Sequence, residues 1–461
     1  MISNTNLFIK IAQKVGIDKA IAYSSGAKIV QGLTGVLSVF FIAAFLTGEE
    51  QGFYYTFGSI LALQTFFELG FTGIMTQYVA HEAAHLKLNS NCYYEGEEKY
   101  ASRLAYLTRF CIKWYAVIAV LFFLVIIIVG FVYFNKFDST GGEVSWSIPW
   151  VILSIGTSIN LLIAPFNSLL LGLGKVKEMN RIVFLQQIVH PIILWAGLAV
   201  GLKLYVVGIN SLCMAAIWIV SVACSDSLKI IINLLKVKVT ETISYFKEIF
   251  PYQWKIAISW ISGYFIFQLF NPVLFATEGA VVAGQMGMTM AALSAIQSLS
   301  YSWMNTKVPL FSGLIAMKDY VKLDCIFNRT MKQMLFVCLS LLMALFCFVF
   351  LLDYFKIEFR GNILSERFLT FIPMLLMAIP IVTNVLVNSW AIYLRCHKQE
   401  PFLWNSVVVA ALCCLSTFLL GNRYGLYGIT IGYCCIRLFV SLPWGYFTFI
   451  TKKKEWHESS K

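Results

Sequence analysis

Long runs of apolar residues, separated by short polar segments, recur from one end of the chain to the other. A helix needs about 20 apolar residues to cross about 30 Å of hydrocarbon, and twelve segments meet this requirement. They are residues 20–46, 52–78, 107–134, 148–173, 180–202, 205–230, 252–276, 280–305, 327–352, 367–393, 402–420 and 425–450. The pattern therefore predicts an all-α polytopic membrane protein, with a tight turn near Gly48–Gly52 between the first two spans.

The amino-acid composition agrees with this pattern. Of the 461 residues, 59% are hydrophobic and 13% are charged. Soluble domains average roughly 45–50% apolar and about 25% charged residues. No polar linker divides the chain into soluble domains, so the composition excludes a water-soluble multidomain protein.

The formal net charge is +12, and the distribution of the basic residues along the chain agrees with the predicted topology. With the N-terminus in the cytoplasm, 27 of the 35 Lys and Arg residues fall in cytoplasmic segments and 6 in outer loops. Cytoplasmic loops of membrane proteins are enriched in Lys and Arg. The distribution therefore predicts that both termini are cytoplasmic, and it explains the positive charge without a nucleic-acid partner.

Matching residues recur at a nearly constant offset, which indicates an internal duplication. Gly208 in the sixth span matches Gly428 in the twelfth, 220 residues later, and Asn167 in the fourth span matches Asn388 in the tenth, 221 residues later. Because each half has six spans, the two halves keep the same orientation. We therefore predict two six-helix lobes with a transport path between them.

The predicted organisation assigns every part of the chain. It consists of an amphipathic cytoplasmic segment, the N-lobe, a cytoplasmic connection, the C-lobe and a basic cytoplasmic tail: residues 1–19, 20–230, 231–251, 252–450 and 451–461.

Four ionisable residues lie deep inside the predicted spans, where they are costly and usually face a bundle interior or a hydrated cavity. At 1.5 Å per helical residue, Lys28 is ~12 Å, Glu68 and His190 are each ~15 Å, and Arg437 is ~18 Å from the nearer membrane face. Lys28 and Glu68 lie at similar depths, so they form either a structural ion pair or part of a functional site. His190 precedes Pro191 and either bonds a carbonyl that the proline frees or titrates during function.

Side-chain amides are also frequent in the spans. Gln31, Gln64, Asn167 and Asn388 belong to a larger set of intramembrane amides. Some amides bridge neighbouring helices, but their number suits a hydrated cavity that offers hydrogen bonds to sugar hydroxyls.

Residues 81–85 read His-Glu-Ala-Ala-His, which fits the H-E-x-x-H pattern of zinc proteases. On a helix, His81 and His85 would share one face, and Glu82 would be the general base. No convincing third ligand follows, and the segment lies just after a span, where polar residues are expected. We therefore predict no metal, no cofactor and no enzymatic activity.

The twelve spans in two halves, the basic tail and the stretch FGSILALQTFFELGFTGIMTQYVAHE, residues 57–82, resemble the Wzx-type polysaccharide flippases. These belong to the multidrug/oligosaccharidyl-lipid/polysaccharide exporter superfamily. The resemblance implies alternating-access movement of undecaprenyl-diphosphate-linked oligosaccharide, such as an O-antigen unit of lipopolysaccharide, across a bacterial plasma membrane. It also implies a MATE-like fold and work alongside a polysaccharide polymerase and glycosyltransferases.

The candidate residues fit this chemistry. Lys28 and Arg437 would bind the diphosphate from opposite lobes, while Gln31, Gln64, Asn167 and Asn388 would meet phosphate or sugar. Glu68 and His190 would provide ion coupling, or Glu68 would pair with Lys28. The alternative function is a MATE-type cation-coupled multidrug exporter, which would need intramembrane carboxylates.

Overall fold

The computed structural model describes residues 30–31, 34–35, 37–359, 361–397 and 399–458. Helices account for most of this part of the chain. They are 37–45 (α1), Gly48–Leu61 (α2), Gln64–Glu68 (α3), Phe71–Ala83 (α4), Glu98–Phe137 (α5), Ser147–Gly172 (α6), Val176–Val200 (α7), Tyr205–Ala223 (α8), Asp226–Lys236 (α9), Phe250–Phe267 (α10), Phe270–Glu278 (α11), Ala280–Asn305 (α12), Val308–Ala316 (α13), Tyr320–Tyr354 (α14), Phe371–Arg395 (α15), Leu403–Cys435 (α16) and Leu442–Glu458 (α17).

Short elements complete the described chain. Two antiparallel hairpins pair Leu86–Leu88 (β1) with Tyr94–Gly96 (β2), and Glu358–Phe359 (β3) with Asn362–Ile363 (β4). The remaining elements are two π-helical segments and a 3₁₀ turn: Tyr245–Ile249, Ile436–Ser441 and Ser365–Arg367.

Nine helices in the described residues are long and apolar enough to cross a membrane, or ten if Gly48–Glu68 and Phe71–Ala83 form one bent span. This confirms the prediction of an all-α polytopic membrane protein. The count differs from twelve at two places. The first predicted span, 20–46, lies partly outside the described residues, and the last two predicted spans fall within the single stretch Leu403–Trp456.

Gly425 divides that last stretch, because its φ of 55° and ψ of −134° are not helical. The following helical turn begins with the backbone N–H of Leu426, which donates to Oε1 of Glu278 at 2.6 Å. A carboxylate is a favourable acceptor for the unpaired N–H groups at a helix start. The break therefore corresponds to the boundary that the sequence predicts between spans eleven and twelve.

Two compact units are present. Unit 1 contains the described residues of 30–34, 64–132 and 146–257, and unit 2 contains those of 35–63, 133–145 and 258–458. The lobe boundaries that the internal repeat predicts stay a prediction.

In unit 1, glycines allow close helix packing. A Cβ on Gly156 of α6 would lie 2.8 Å from Cβ of Ser211 in α8, and one on Gly172 would lie 2.7 Å from the carbonyl oxygen of Thr76 in α4. Small residues let helix backbones approach in a membrane, where van der Waals packing drives association. These contacts hold α4, α6 and α8 together.

In unit 2, a glycine likewise allows α2 to pack closely on α12. A Cβ on Gly52 would lie 2.0 Å from the carbonyl oxygen of Ala280. Residues 46 and 47 separate α1 from α2, so the turn predicted near Gly48–Gly52 lies directly before Gly48. Thr47 caps α2, which begins at Gly48, through a hydrogen bond from the N–H of Glu50, and Gly52 serves helix packing.

The seventh predicted span keeps one apolar stretch, Gln253–Glu278, although residues 268–269 separate α10 from α11. Two other predicted spans are interrupted more strongly. In the second, Leu69 and Gly70 have φ values of 49° and 67° and separate α3 from α4. In the sixth, α8 ends at Ala223, and a separate helix, α9, follows after the Ser225 cap. The continuous helices predicted over 52–78 and 205–230 are thus wrong in this detail.

Candidate functional site

Arg437 lies in the π-helical segment Ile436–Ser441 of unit 2. π-Helical segments are rare in proteins, and those that do occur are often found at functional sites. The residue is only 6% exposed, and its Nε atom is buried without a hydrogen-bond partner among the described residues. None of the ion pairs in the described chain includes it. A buried cation without an anion is costly, so Arg437 is a candidate to bind one.

Two tyrosines lie within electrostatic range of the guanidinium. The charge of Arg437 acts on the side chains of Tyr301 and Tyr433, and Tyr433 precedes Arg437 by about one helical turn. The ring of Tyr433 packs edge-on against Phe270 with centroids 4.9 Å apart, and its hydroxyl is buried without a hydrogen-bond partner among the described residues. The ring contact fixes the position of the Tyr433 side chain inside unit 2.

Tyr301 connects α12 to α15. Its hydroxyl donates to the backbone carbonyl of Asn384 at 2.9 Å and accepts from Nδ2 of Asn388 at 2.6 Å. The Nε2 atom of Gln297, one turn earlier on α12, also donates to it at 3.3 Å. One hydroxyl thus joins these residues and fixes the orientation of the Asn388 amide.

We refer to Gln297, Tyr301, Asn384, Asn388, Tyr433 and Arg437 as the unit 2 polar cluster. It contains a cation, three amides and two phenols, and none of its members is acidic. Guanidinium, amide and phenol groups all donate hydrogen bonds. The cluster is therefore suited to a ligand that carries negative charge or hydroxyl groups.

The structure brings only two predicted site residues, Asn388 and Arg437, into this cluster. Gln31, Gln64 and Asn167 belong to unit 1, where Gln31 is exposed and the other two are half-buried. Lys28 lies outside the described residues, so its predicted ion pair with Glu68 stays a prediction.

Glu68 and His190 also belong to unit 1. The Oγ1 atom of Thr72 donates to Oε1 of Glu68 at 2.7 Å across the break between α3 and α4. His190 is exposed on α7, and its backbone carbonyl accepts from Nδ2 of Asn210 at 3.1 Å. The structure thus gives Glu68 a hydroxyl partner and leaves the imidazole of His190 on the surface of its helix.

The His-Glu-Ala-Ala-His segment is engaged in other contacts. Oε1 of Glu82 lies 3.1 Å from Nε of Arg103, and the ring of His85 stacks on Tyr100 with centroids 3.9 Å apart. The side chain of His81 is largely exposed. Across the described residues, no three or more His, Cys, Asp or Glu side chains form a group that could hold a metal ion.

Tyr301 and Tyr433 were not predicted from the sequence, because tyrosine carries no charge and is frequent in this chain. One signal was present: Tyr301 follows Gln297 by four residues, and Tyr433 precedes Arg437 by four. Residues four apart share a helix face. Each tyrosine could therefore have been assigned to the same helix face as a polar residue within a predicted span, namely Gln297 or Arg437.

These observations define a polytopic all-α membrane protein with a cationic polar cluster inside one unit. Among solved structures, the chain is similar to the lipid II flippase MurJ in an inward closed conformation, with 13% identity, 94% of this chain and 87% of that chain covered, and a TM-score of 0.61. It is also similar to an inward-facing multidrug resistance MATE family transporter of the MOP superfamily, with 13% identity, 93% and 99% coverage, and a TM-score of 0.56.

A third similar structure is that of the MATE multidrug transporter DinF-BH, with 12% identity, 95% and 96% coverage, and a TM-score of 0.54. No family model and no curated protein matches the chain. The chain therefore has the fold of MOP superfamily transporters.

Proposed function

We propose that this protein is a transporter that flips undecaprenyl-diphosphate-linked oligosaccharides from the inner to the outer leaflet of a bacterial plasma membrane. Its product would serve surface polysaccharide biosynthesis, and a polymerase and glycosyltransferases would act on the same oligosaccharide. The fold, which is shared with a lipid II flippase and with MATE transporters, supports a transporter. In this proposal both termini are cytoplasmic, and the lobes 20–230 and 252–450 alternate access through the connection 231–251.

The observation that carries the proposal is that Arg437 is buried, that its Nε atom has no hydrogen-bond partner and that no ion pair among the described residues includes it. A diphosphate that crosses hydrocarbon needs a compensating cation, because an unpaired buried charge is very costly. The planar guanidinium can bind two phosphate oxygens at once. Because Arg437 is enclosed in this conformation, the phosphate would reach it in another state of the transport cycle.

The other predicted residues have supporting roles in this proposal. Lys28 provides the second cation, and Asn388 donates to phosphate or sugar oxygens from the orientation that Tyr301 fixes. Gln31, Gln64 and Asn167 bind sugar hydroxyls from unit 1. Ion coupling, if it drives turnover, would involve the titratable groups of Glu68 and His190.

Export of cationic drugs by a MATE-type mechanism is the second candidate. Glu68 favours it, because this carboxylate lies at a helix break within a predicted span and already binds a hydroxyl. The unit 2 polar cluster argues against it, since its one charged group would repel a cationic drug. Drug efflux and polysaccharide assembly can be measured separately.

The test compares Arg437→Gln with Arg423→Gln in a strain that lacks the gene. Arg423 is an exposed arginine of the same unit, so the control removes the same charge from a solvated position. We expect Arg437→Gln to accumulate lipid-linked oligosaccharide, measured by mass spectrometry, while the control restores surface polysaccharide. Full restoration by Arg437→Gln would remove Arg437 from the mechanism, and drug sensitivity of the deletion strain without a polysaccharide defect would favour the exporter.

Protein stability separates a functional from a structural role. Because Arg437 has no ion-pair partner among the described residues, its replacement by glutamine relieves a buried charge. The variant should therefore unfold at the same temperature as the parent protein or higher, although transport is lost. A large decrease in thermal stability would instead indicate that Arg437 supports the fold.

A further inference from the structure

Helix α9, Asp226–Lys236, begins shortly after the membrane-spanning helix α8 ends at Ala223. Its start is capped by Ser225, whose Oγ accepts from the backbone N–H of Ser227 at 3.3 Å. A helix that follows a span so closely lies at the membrane surface where that span ends. This placement of α9 follows from the end of α8 and does not depend on which substrate the protein transports.

The inner face of α9 is firmly attached to unit 1. Ile230, Ile231 and Leu234 are buried, and Oγ of Ser227 donates to Oε2 of Glu178 at 2.7 Å.

The C-terminal end of α9 is held as well. Nη2 of Arg109 donates to the carbonyls of Leu235 and Val237 at 2.8 and 2.7 Å. It thereby provides a hydrogen-bond donor for carbonyl groups at the end of the helix. Near the same end, Nδ2 of Asn233 donates to the carbonyl of Cys92 at 3.0 Å. The helix therefore presents one fixed outer face.

That outer face carries an exposed apolar stripe. Leu228, Ile232 and Leu235 are 38%, 41% and 37% exposed, and their spacing of four and three residues aligns them along the helix. Lys229 and Lys236 follow Leu228 and Leu235 by one residue each, so both lysines lie on the same side of the stripe. The result is an apolar stripe with a cationic edge.

The charges around this edge are predominantly positive. Lys229, Lys236 and the following Lys238 lie along it, and Asp226 lies 3.3 Å from Lys229 and offsets part of its charge. On the neighbouring elements, Arg109 contacts the end of α9 and Glu178 contacts its start.

We infer that the outer face of α9 binds anionic phospholipid. The stripe of Leu228, Ile232 and Leu235 enters the boundary between headgroups and acyl chains, as in amphipathic helices at membrane interfaces. Lys229, Lys236 and Lys238 bind the phosphate groups of anionic lipid headgroups. Lipid is the occupant that fits, because the stripe lies where a membrane span ends and its charged edge complements an anionic leaflet.

The test uses the full-length protein in nanodiscs that contain phosphatidylcholine with a minor fraction of phosphatidylglycerol. Native mass spectrometry counts the lipids that remain bound to the protein after it is released from the nanodisc. The variant K229Q/K236Q/K238Q is compared with a control of equal charge change at lysines on other elements, namely K87Q/K99Q/K318Q. We expect the preference of the α9 variant for phosphatidylglycerol over phosphatidylcholine to fall by about a hundredfold, and the control to keep that preference.

A second comparison tests the apolar stripe and guards against misfolding. L228S/I232S/L235S should lower retention of both lipids while its circular dichroism stays that of the parent protein. If this variant does not fold, the lysine variant still decides, because exposed lysines tolerate glutamine. Equal phosphatidylglycerol preference in the α9 and control lysine variants would overturn the inference, as would a preference that is insensitive to salt.

Discussion

Replacement of Arg103 by methionine removes the cation that joins two carboxylates of very different exposure. Nε of Arg103 lies 3.1 Å from Oε1 of Glu82, and Nη2 lies 3.1 Å from Oε2 of Glu248. The Glu82 side chain is 2% exposed and that of Glu248 is 36% exposed. Glu248 belongs to the segment that precedes α10, so Arg103 fixes that segment to the start of α5 and the end of α4.

The expected cost comes almost entirely from Glu82. Loss of one partner from a buried ion pair costs about 3–5 kcal/mol, because the remaining charge is buried without compensation. An exposed pair is worth about 0–1 kcal/mol. We therefore expect Arg103→Met to reduce the free energy of unfolding by about 3–5 kcal/mol, and Glu248→Gln to reduce it by less than about 1 kcal/mol.

Denaturant unfolding of the detergent-solubilised variants measures both effects. Lys452→Met is the matched control, because it breaks an exposed pair with Glu455 at 2.7 Å. The double variant Glu82→Gln/Arg103→Met should recover most of the loss, since no buried charge remains. Equal costs for Arg103→Met and Glu248→Gln, or no recovery in the double variant, would refute the assignment of the energy to burial of Glu82.

Three further substitutions test particular contacts by the same unfolding measurement. Gly425→Ala should cost about 2–3 kcal/mol, because φ is positive there and the new Cβ would displace the Glu278 carboxylate that caps the next turn. Gly130→Ala should cost about 1–3 kcal/mol, because its Cβ would lie 2.0 Å from Nε1 of Trp150. Tyr301→Phe should cost about 1–3 kcal/mol and should also reduce transport, because Asn388 and the Asn384 carbonyl lose their shared partner.

Each of these has a control in the same chain. Gly141 also has a positive φ, of 64°, but has no atom within 4 Å of its added Cβ, so Gly141→Ala isolates the backbone term. Gly73 is a helical glycine with equally open space, and Gly73→Ala should cost nothing. Tyr264→Phe removes a hydroxyl outside the unit 2 polar cluster. A prediction fails if its variant and its control show equal losses.

The fold class could be predicted because membrane spans are a local property. A run of about twenty apolar residues is poorly solvated in water, and its backbone groups must be paired within the helix once they enter lipid. Helix α14, Tyr320–Tyr354, contains the whole predicted span 327–352. The sequence-based boundaries were wrong where a break depends on a distant partner or on a local backbone twist, as at Leu69 and Gly70.

The candidate site was only partly predictable. Arg437 and Asn388 were identified because a charge and an amide in a span are costly and therefore conspicuous. Tyr301, which binds Asn388 directly, was not, since it carries no charge and tyrosines are frequent in this chain. The hydrogen bond between them joins residues 87 positions apart, and only the packing of α12 against α15 creates it.

Local sequence was enough to establish that the chain spans a membrane many times and that Arg437 is a cation within a span, because hydrocarbon length and the cost of charge depend on composition alone. The groups that meet that charge were set by helix packing. It brought Tyr301 and Tyr433 within electrostatic range of Arg437 and gave the cation at Arg103 the buried partner Glu82. Because partners come together across long sequence separations, similar local patterns can leave one arginine paired and another unpaired within the described residues.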